Sequence, residues 1–136
     1  MKRRLFLLPF LLLLALAASL PVYAQQTAPA QAQPETQMLA MRDGVKLATD
    51  IYLPEGKGPW PVILVRTPYG KSGAMMGGQN KQWTTNGYAY VIQDCRGTGK
   101  SEGKYMPFMD DHFDGYDTVE WAAKQAWANE IGRAHV

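Results

Sequence analysis

Cysteine, histidine and serine are all scarce in this chain of 136 residues, and each scarcity closes off a class of chemistry. A single cysteine, Cys95, rules out an intrachain disulfide. Lying just after an apolar run, it reads as a small packed residue and not a nucleophile. Two histidines, His112 and His135, together with one cysteine are too few for a metal cluster of the usual type, so no metal and no cofactor is expected. Serine occurs only as Ser19, Ser72 and Ser101, and none stands in a Gly-x-Ser-x-Gly strand-turn-helix elbow. No catalytic triad can be assembled from these residues. A surplus of positive charge is also missing. Lys2, Arg3 and Arg4 belong to a leader, and the remaining 11 basic residues face 12 acids. That leaves no basic stripe for nucleic acid. The longest apolar run, Leu5 to Ala18, is about 14 residues and is broken by Pro9. It falls short of the ~20 residues that span a bilayer.

What that run does resemble is the core of a signal peptide. Lys2-Arg3-Arg4 supplies the positive start, and Val22-Tyr23-Ala24 supplies the small residues that a signal peptidase reads. Residues 1–24 are therefore expected to be a signal peptide cleaved after Ala24, giving a secreted or periplasmic protein with no stable membrane anchor. The very short positive start favours the general secretory route, while Arg3-Arg4-Leu5-Phe6 also resembles a twin-arginine signal. Residues 25–37 are Gln, Ala, Pro and Thr without apolar periodicity, and read as a flexible linker.

From Met38 the pattern changes. Met38–Arg42 and Val45–Leu53 flank Asp43-Gly44, a strong hairpin signal. In the second arm Val45, Leu47, Thr49 and Ile51 alternate with more polar neighbours, so one apolar face is expected. Val62–Val65 is a continuous apolar run bounded by turn residues, the mark of a parallel strand buried on both faces. It leads into Arg66-Thr67-Pro68-Tyr69-Gly70-Lys71. Gln79–Thr85 fits a short helix with Trp83 inward, stopped by Asn86-Gly87. Tyr88–Gln93 reads as a second buried strand. A helix capped by Asp110, Asp111 or Asp114 is expected to run to about Ala126, with Tyr116, Val119, Ala123, Ala126 and Trp127 on its inner side. The acids Asp110, Asp111, Asp114 and Asp117 do not have the spacing of a calcium loop, and read as a solvated helix start favoured by the helix dipole. The order of antiparallel hairpin, then parallel strands with helices, is that of an α/β fold.

Gly97-Thr98-Gly99-Lys100-Ser101 looks like the end of a phosphate-binding loop. The pattern requires glycine at position 94, which is Asp94, and a carboxylate there would repel the anion. Glu102-Gly103 and Pro107 also argue against the helix that should follow. Asp94 and Arg96 are expected to brace this loop through local hydrogen bonds and an ion pair.

Four stretches then stand in a familiar order: Met41-Arg42-Asp43-Gly44-Val45-Lys46-Leu47, Arg66–Lys71, Gly87–Gly97 with Ser101-Glu102-Gly103, and Asp117-Thr118-Val119-Glu120-Trp121. Over Met38 to about Asn129 the chain closely resembles the N-terminal part of the X-prolyl dipeptidyl-peptidase and cocaine-esterase group of serine hydrolases (CocE/NonD type). The resemblance implies an α/β-hydrolase domain with a Ser-Asp-His triad, acting on a small ester, amide or peptide substrate. It also implies that the nucleophile elbow follows the helix ending near Trp127, and that the catalytic acid, the histidine and the later domains lie further on. The domain, residues 38–129, is then the N-terminal portion of an incomplete sheet. In that order the Val62–Val65 strand would lack its outer neighbour and stand as an open edge. Of the family's catalytic groups only the tyrosine of the Arg-x-Pro-Tyr motif maps here, onto Tyr69, whose phenol would be one donor of an oxyanion hole. Residues 130–136 depart from the family and resemble a translated sequencing adapter, so they read as a non-native tail and His135 carries no functional weight. The competing reading is a complete small exported domain that binds or supports and does no catalysis.

Overall fold

The computed structural model describes residues 34–73, 78–107, 109 and 111–135. The expected signal peptide, the linker as far as residue 33, and Asp110 of the acidic group lie outside them. Five strands form one mixed sheet in the order β1-β2-β4-β3-β5. They are β1 (Glu35–Ala40), β2 (Lys46–Tyr52), β3 (Trp60–Thr67), β4 (Ala89–Asp94) and β5 (Ala128–His135), with helices α1 (Gln79–Thr85) and α2 (Asp111–Ala123) between them. β1 and β2 pair antiparallel, β2 and β4 antiparallel, and β3 pairs parallel with both β4 and β5.

The hairpin forms where the Asp-Gly pair places it. Gly44 has φ +85°, Gly44 N–H donates to Met41 O, and the Asp43 carboxylate accepts the Val45 N–H. Only glycine takes such a φ without steric cost. β1 starts earlier than expected: Glu35 to Gln37, assigned to the linker, already pair with Ile51 to Thr49. An edge strand needs only a ladder partner, and these polar residues supply one without apolar periodicity. Thr36 adds a hydroxyl bond of 2.6 Å to Asp50.

β2 was expected to have one apolar face. Instead Leu47 to Ile51 are all buried, because β1 and β4 flank the strand and partners take up its polar side chains. β4 is the strand buried along its whole length. β3 is less enclosed than its composition suggests: Val62 and Leu64 are fully buried, whereas Ile63 and Val65 are half-buried. The main core gathers Ile51, Val62, Leu64, Ala89 and Val91 under Trp60, Val119, Trp121 and Trp127. β3 is not an open edge either. The backbone of Ala128–His135, most of which was read as a non-native tail, runs parallel to it from Trp60 to Val65.

Helix α1 sits where expected, with Gly87 at φ +81° ending it and Trp83 meeting Tyr88 edge-on at 6.0 Å. α2 stops at Ala123, three residues early, and of the residues expected on its inner side Val119 and Trp127 pack on the core while the others do not. Its buried residues are Asp114, Thr118 and Ala122. Tyr116 is 60% exposed, and Ala123 and Ala126 face solvent. Beneath its first turns lie Arg66 and Gln93 of the sheet and Arg96 of the loop after β4, so the matching helix face is polar.

Candidate active site

The parallel strands β3 and β4 end side by side, and the turns that leave them build one region. Past the carboxyl ends of parallel strands is where open α/β sheets place their ligands. Thr67 closes β3. Its hydroxyl accepts the Tyr69 N–H at 3.1 Å, Pro68 fixes the intervening backbone, and Gly70 takes φ +86°. Tyr69 projects outward from this turn with 75% of its surface exposed. The turn is then fastened at Lys71. The Lys71 N–H donates to Asp94 Oδ1 at 2.6 Å, and the Lys71 ammonium donates to Asp50 Oδ2 at 2.8 Å.

Asp94 ends β4 and is buried. Its second carboxylate oxygen accepts the Lys100 N–H at 3.0 Å. Within the Gly97–Ser101 loop the Lys100 amide is thus taken by the chain's own carboxylate, while the Gly97, Thr98 and Ser101 amides donate to backbone carbonyls. A side chain at Gly99 would run into that carboxylate, and one at Gly97 would strike the backbone at Lys104 and Tyr105. Ser101 is equally engaged: its hydroxyl donates to Asp94 O at 2.7 Å and accepts the Ala48 N–H at 2.8 Å. Glu102 extends the contact, with its carboxylate accepting the Lys46 N–H and its N–H donating to Lys46 O. The bracing expected of Asp94 is therefore present.

Arg96 braces as well, but across a longer range. Its guanidinium donates to Asp114 at 2.7 and 3.0 Å, and to Asp43 in the hairpin turn at 2.8 and 3.2 Å. These carboxylates push the Arg96 pKa further up, and Arg96 in turn holds the Asp43 carboxyl below the usual range. Arg66, buried at the end of β3, donates to Gln93 Oε1 at 2.9 Å and to the backbone and carboxylate of Asp111. Arg66 also lies 3.7 Å from Asp114. On the outside, Arg42 forks onto Asp117, keeping that carboxyl low. The acids of α2 were expected to be solvated. Asp114 is 1% exposed, and Asp111, Asp114 and Asp117 are all ion-paired, since arginines on three other segments reach the start of the helix. Nothing in the local sequence distinguishes such pairing from a dipole-favoured surface, because the partners lie far away along the chain.

A cleft of about 320 Å³ opens above this network. Arg66, Pro68, Tyr69, Cys95, Tyr105 and Met106 are among its walls. Cys95 is a buried, packed residue as expected, and burial pushes its thiol up to about 11. A thiol so raised is a poor nucleophile at neutral pH. His112 is exposed and lies against Phe113, while the side chain of His135 is outside the described residues. Among the described residues, no three histidine, cysteine or acidic groups gather as a metal site. What the region offers is a phenol on a firmly fastened turn beside a partly apolar cleft.

Comparison with known proteins gives the fold and the family. Cocaine esterase from Rhodococcus sp. (strain MB1 Bresler) is 47% identical over 96 residues, covering 68% of this chain and 17% of the esterase. An α-amino acid ester hydrolase of known structure superposes with a TM-score of 0.60 at 30% identity, over 85% of this chain and 24% of that one. A CocE/NonD family hydrolase from Staphylococcus aureus superposes with a TM-score of 0.62 at 30% identity, over 71% and 21%. The chain thus spans about a fifth of the length of these relatives, and within that span the sheet has the α/β-hydrolase arrangement. The family model of the X-Pro dipeptidyl-peptidases (S15 family) matches residues 43–132, which take in the hairpin turn, the Tyr69 turn, the Asp94 loop and all of α2, and it is to this serine hydrolase family that the chain belongs.

Proposed function

We propose that this chain carries the oxyanion side of an acyl-hydrolase site that acts on small esters, amides or peptides, with Tyr69 as one donor. Hydrolysis of an acyl bond concentrates negative charge on the carbonyl oxygen in the transition state. A donor already aimed at that oxygen contributes roughly 10²–10³ in rate. The observation that carries the reading is the Tyr69 turn itself. The phenol stands exposed at the rim of a cleft, while the backbone on either side is fixed by Thr67 and by Lys71. The names of the relatives, an esterase and an ester hydrolase, support the substrate class. The nucleophile, the acid and the histidine of the triad would come from sequence beyond Asn129. The stretch Lys2–Ala24 supports export as part of the same reading.

Two measurements test it. The genomic frame is read past the codon for Asn129. A Gly-x-Ser-x-Gly segment within about 20 residues supports the hydrolase, and a native stop at that point refutes it in favour of a small domain without catalysis. In the form that carries the serine, Tyr69→Phe should lower kcat for p-nitrophenyl acetate by roughly 10²-fold with folding unchanged. Wild-type turnover in that variant would refute the oxyanion role. For export, N-terminal sequencing of the mature protein should begin at Gln25.

A further inference from the structure

Lys71 is almost entirely enclosed, with side-chain exposure of 3%, and so is its partner Asp50, at 7%. A buried ion pair is a poor source of stability, because desolvation offsets most of its attraction, and a hydrophobic pair of similar volume often serves as well. The charges at Lys71 and Asp50 call for another reason. Lysine is gripped at both ends. Its backbone N–H is held by Asp94 at the end of β4, and its ammonium by Asp50 in β2. Asp50 is in turn held by Thr36 of β1, and Asp94 by the Lys100 N–H. The residue two positions after Tyr69 is therefore tied directly to β4 and β2, and through Asp50 to β1. Upstream, the Tyr69 N–H is tied to Thr67. Among the described residues the Tyr69 hydroxyl makes no hydrogen bond, so the anchors that position it are those of the turn backbone from which it projects.

We propose that Lys71, through its pair with Asp50, is the positioning residue of the Tyr69 turn: it fixes where the phenol points without touching substrate. This rests on the oxyanion reading of Tyr69 for its catalytic consequence, but the mechanical claim can be tested apart from it. In the chain of 136 residues, both charges are removed together by Lys71→Met with Asp50→Leu, so that no unpaired charge is left buried. Hydrogen exchange at the Lys71 amide should accelerate about tenfold or more, while the Val91 and Ile92 amides of β4 keep their protection and the melting midpoint holds. Unchanged exchange at Lys71 overturns the proposal. Should the double variant fail to fold, Lys71→Arg keeps the charge and displaces the anchor. The Lys71 amide should again exchange faster than in the wild type, and equal protection again overturns the proposal.

In the form that carries the nucleophile, the double variant should lose up to about 10²-fold in kcat for p-nitrophenyl acetate with KM nearly unchanged, and should cause no further loss on top of Tyr69→Phe. A loss that persists in full in the Tyr69→Phe background shows that Lys71 does not act through the phenol. That overturns the proposal and leaves the role of Tyr69 intact. If Tyr69→Phe alone is silent, the oxyanion reading fails, and the exchange result still decides whether Lys71 positions the turn.

Discussion

Helix α2 is fastened to the sheet by charge at its start and by hydrocarbon toward its end. Asp111, Asp114 and Asp117 meet Arg66, Arg96 and Arg42 in its first two turns. Within about the next turn Val119 and Trp121 pack on the core together with Trp60 and Trp127, and the two indole rings of Trp121 and Trp127 meet edge-on at 6.1 Å. The hydrophobic contact is non-directional and supplies most of the drive to dock. The forked carboxylate–guanidinium contacts demand a particular angle and register. The directional end is the one beside the cleft, where β3 and β4 finish and Tyr69 stands. The sheet thus separates the task of holding the helix from the task of aiming it.

The sharpest way to break that comparison is at Asp114, which serves Arg96 directly and lies beside Arg66. Asp114→Asn should cost roughly 1.5–3 kcal/mol, the usual worth of a hydrogen bond to a charged group, because Arg96 keeps Asp43 and Arg66 keeps Asp111; urea unfolding reads the loss. A loss below about 1 kcal/mol would mean that the charged end behaves as an ordinary surface. At the apolar end Leu64→Ala should cost roughly 3 kcal/mol through lost transfer energy and a cavity. The two losses should add to within about 0.5 kcal/mol. Strong coupling would merge the two ends into one.

Cys95 sharpens the distinction by chemistry. With its thiol pushed up to about 11, labelling by a disulfide reagent at pH 8 should be roughly a hundredfold slower than for a free thiol. Native labelling at the free rate would show the cleft floor to be open. Arg42 should give the smallest effect. Its partner Asp117 has a carboxyl held below its ordinary value, so its contribution is present above the usual carboxylate range and is lost as pH falls through the lowered value. Arg42→Met should therefore lower the melting midpoint slightly at pH 7, and the gap to the wild type should close in acid below about pH 4. A gap that persists in strong acid would assign the effect to the Arg42 stem over Phe113 and Tyr116.

The parts of the fold that were legible in the sequence are those set by neighbours along the chain. Asp43-Gly44 encodes its turn, Asn86-Gly87 its helix stop, and the apolar runs their strands. The brace at Asp94 was legible because a carboxylate in a glycine-rich loop has few other uses. The ion pairs of α2 were not. Arg42 and Asp117 are 75 residues apart, and an acid at a helix start is equally at home in water. The face of α2 was read in part: Val119 and Trp127 pack on the core as expected, but Tyr116, Ala123 and Ala126 do not, since the first turns lie on arginines that no apolar stripe announces. β5 escaped because its residues lack the β-branched run that marks β3 and β4, and its backbone pairing with β3 leaves no trace in composition. Tyr69 stands apart: local residues placed it in a turn, and only the resemblance pointed to chemistry.

The carboxylate of Asp94 gives the loop after β4 one further property. The amides of Lys71 and Lys100 form a cradle that a free anion would otherwise find attractive. A tethered ligand competes at an effective concentration set by the fold, commonly millimolar or above, and this one never diffuses away. One carboxylate thus serves both the Tyr69 turn, through the Lys71 amide, and the Gly-Thr-Gly-Lys-Ser loop, through the Lys100 amide, so a change at Asp94 would loosen the two together.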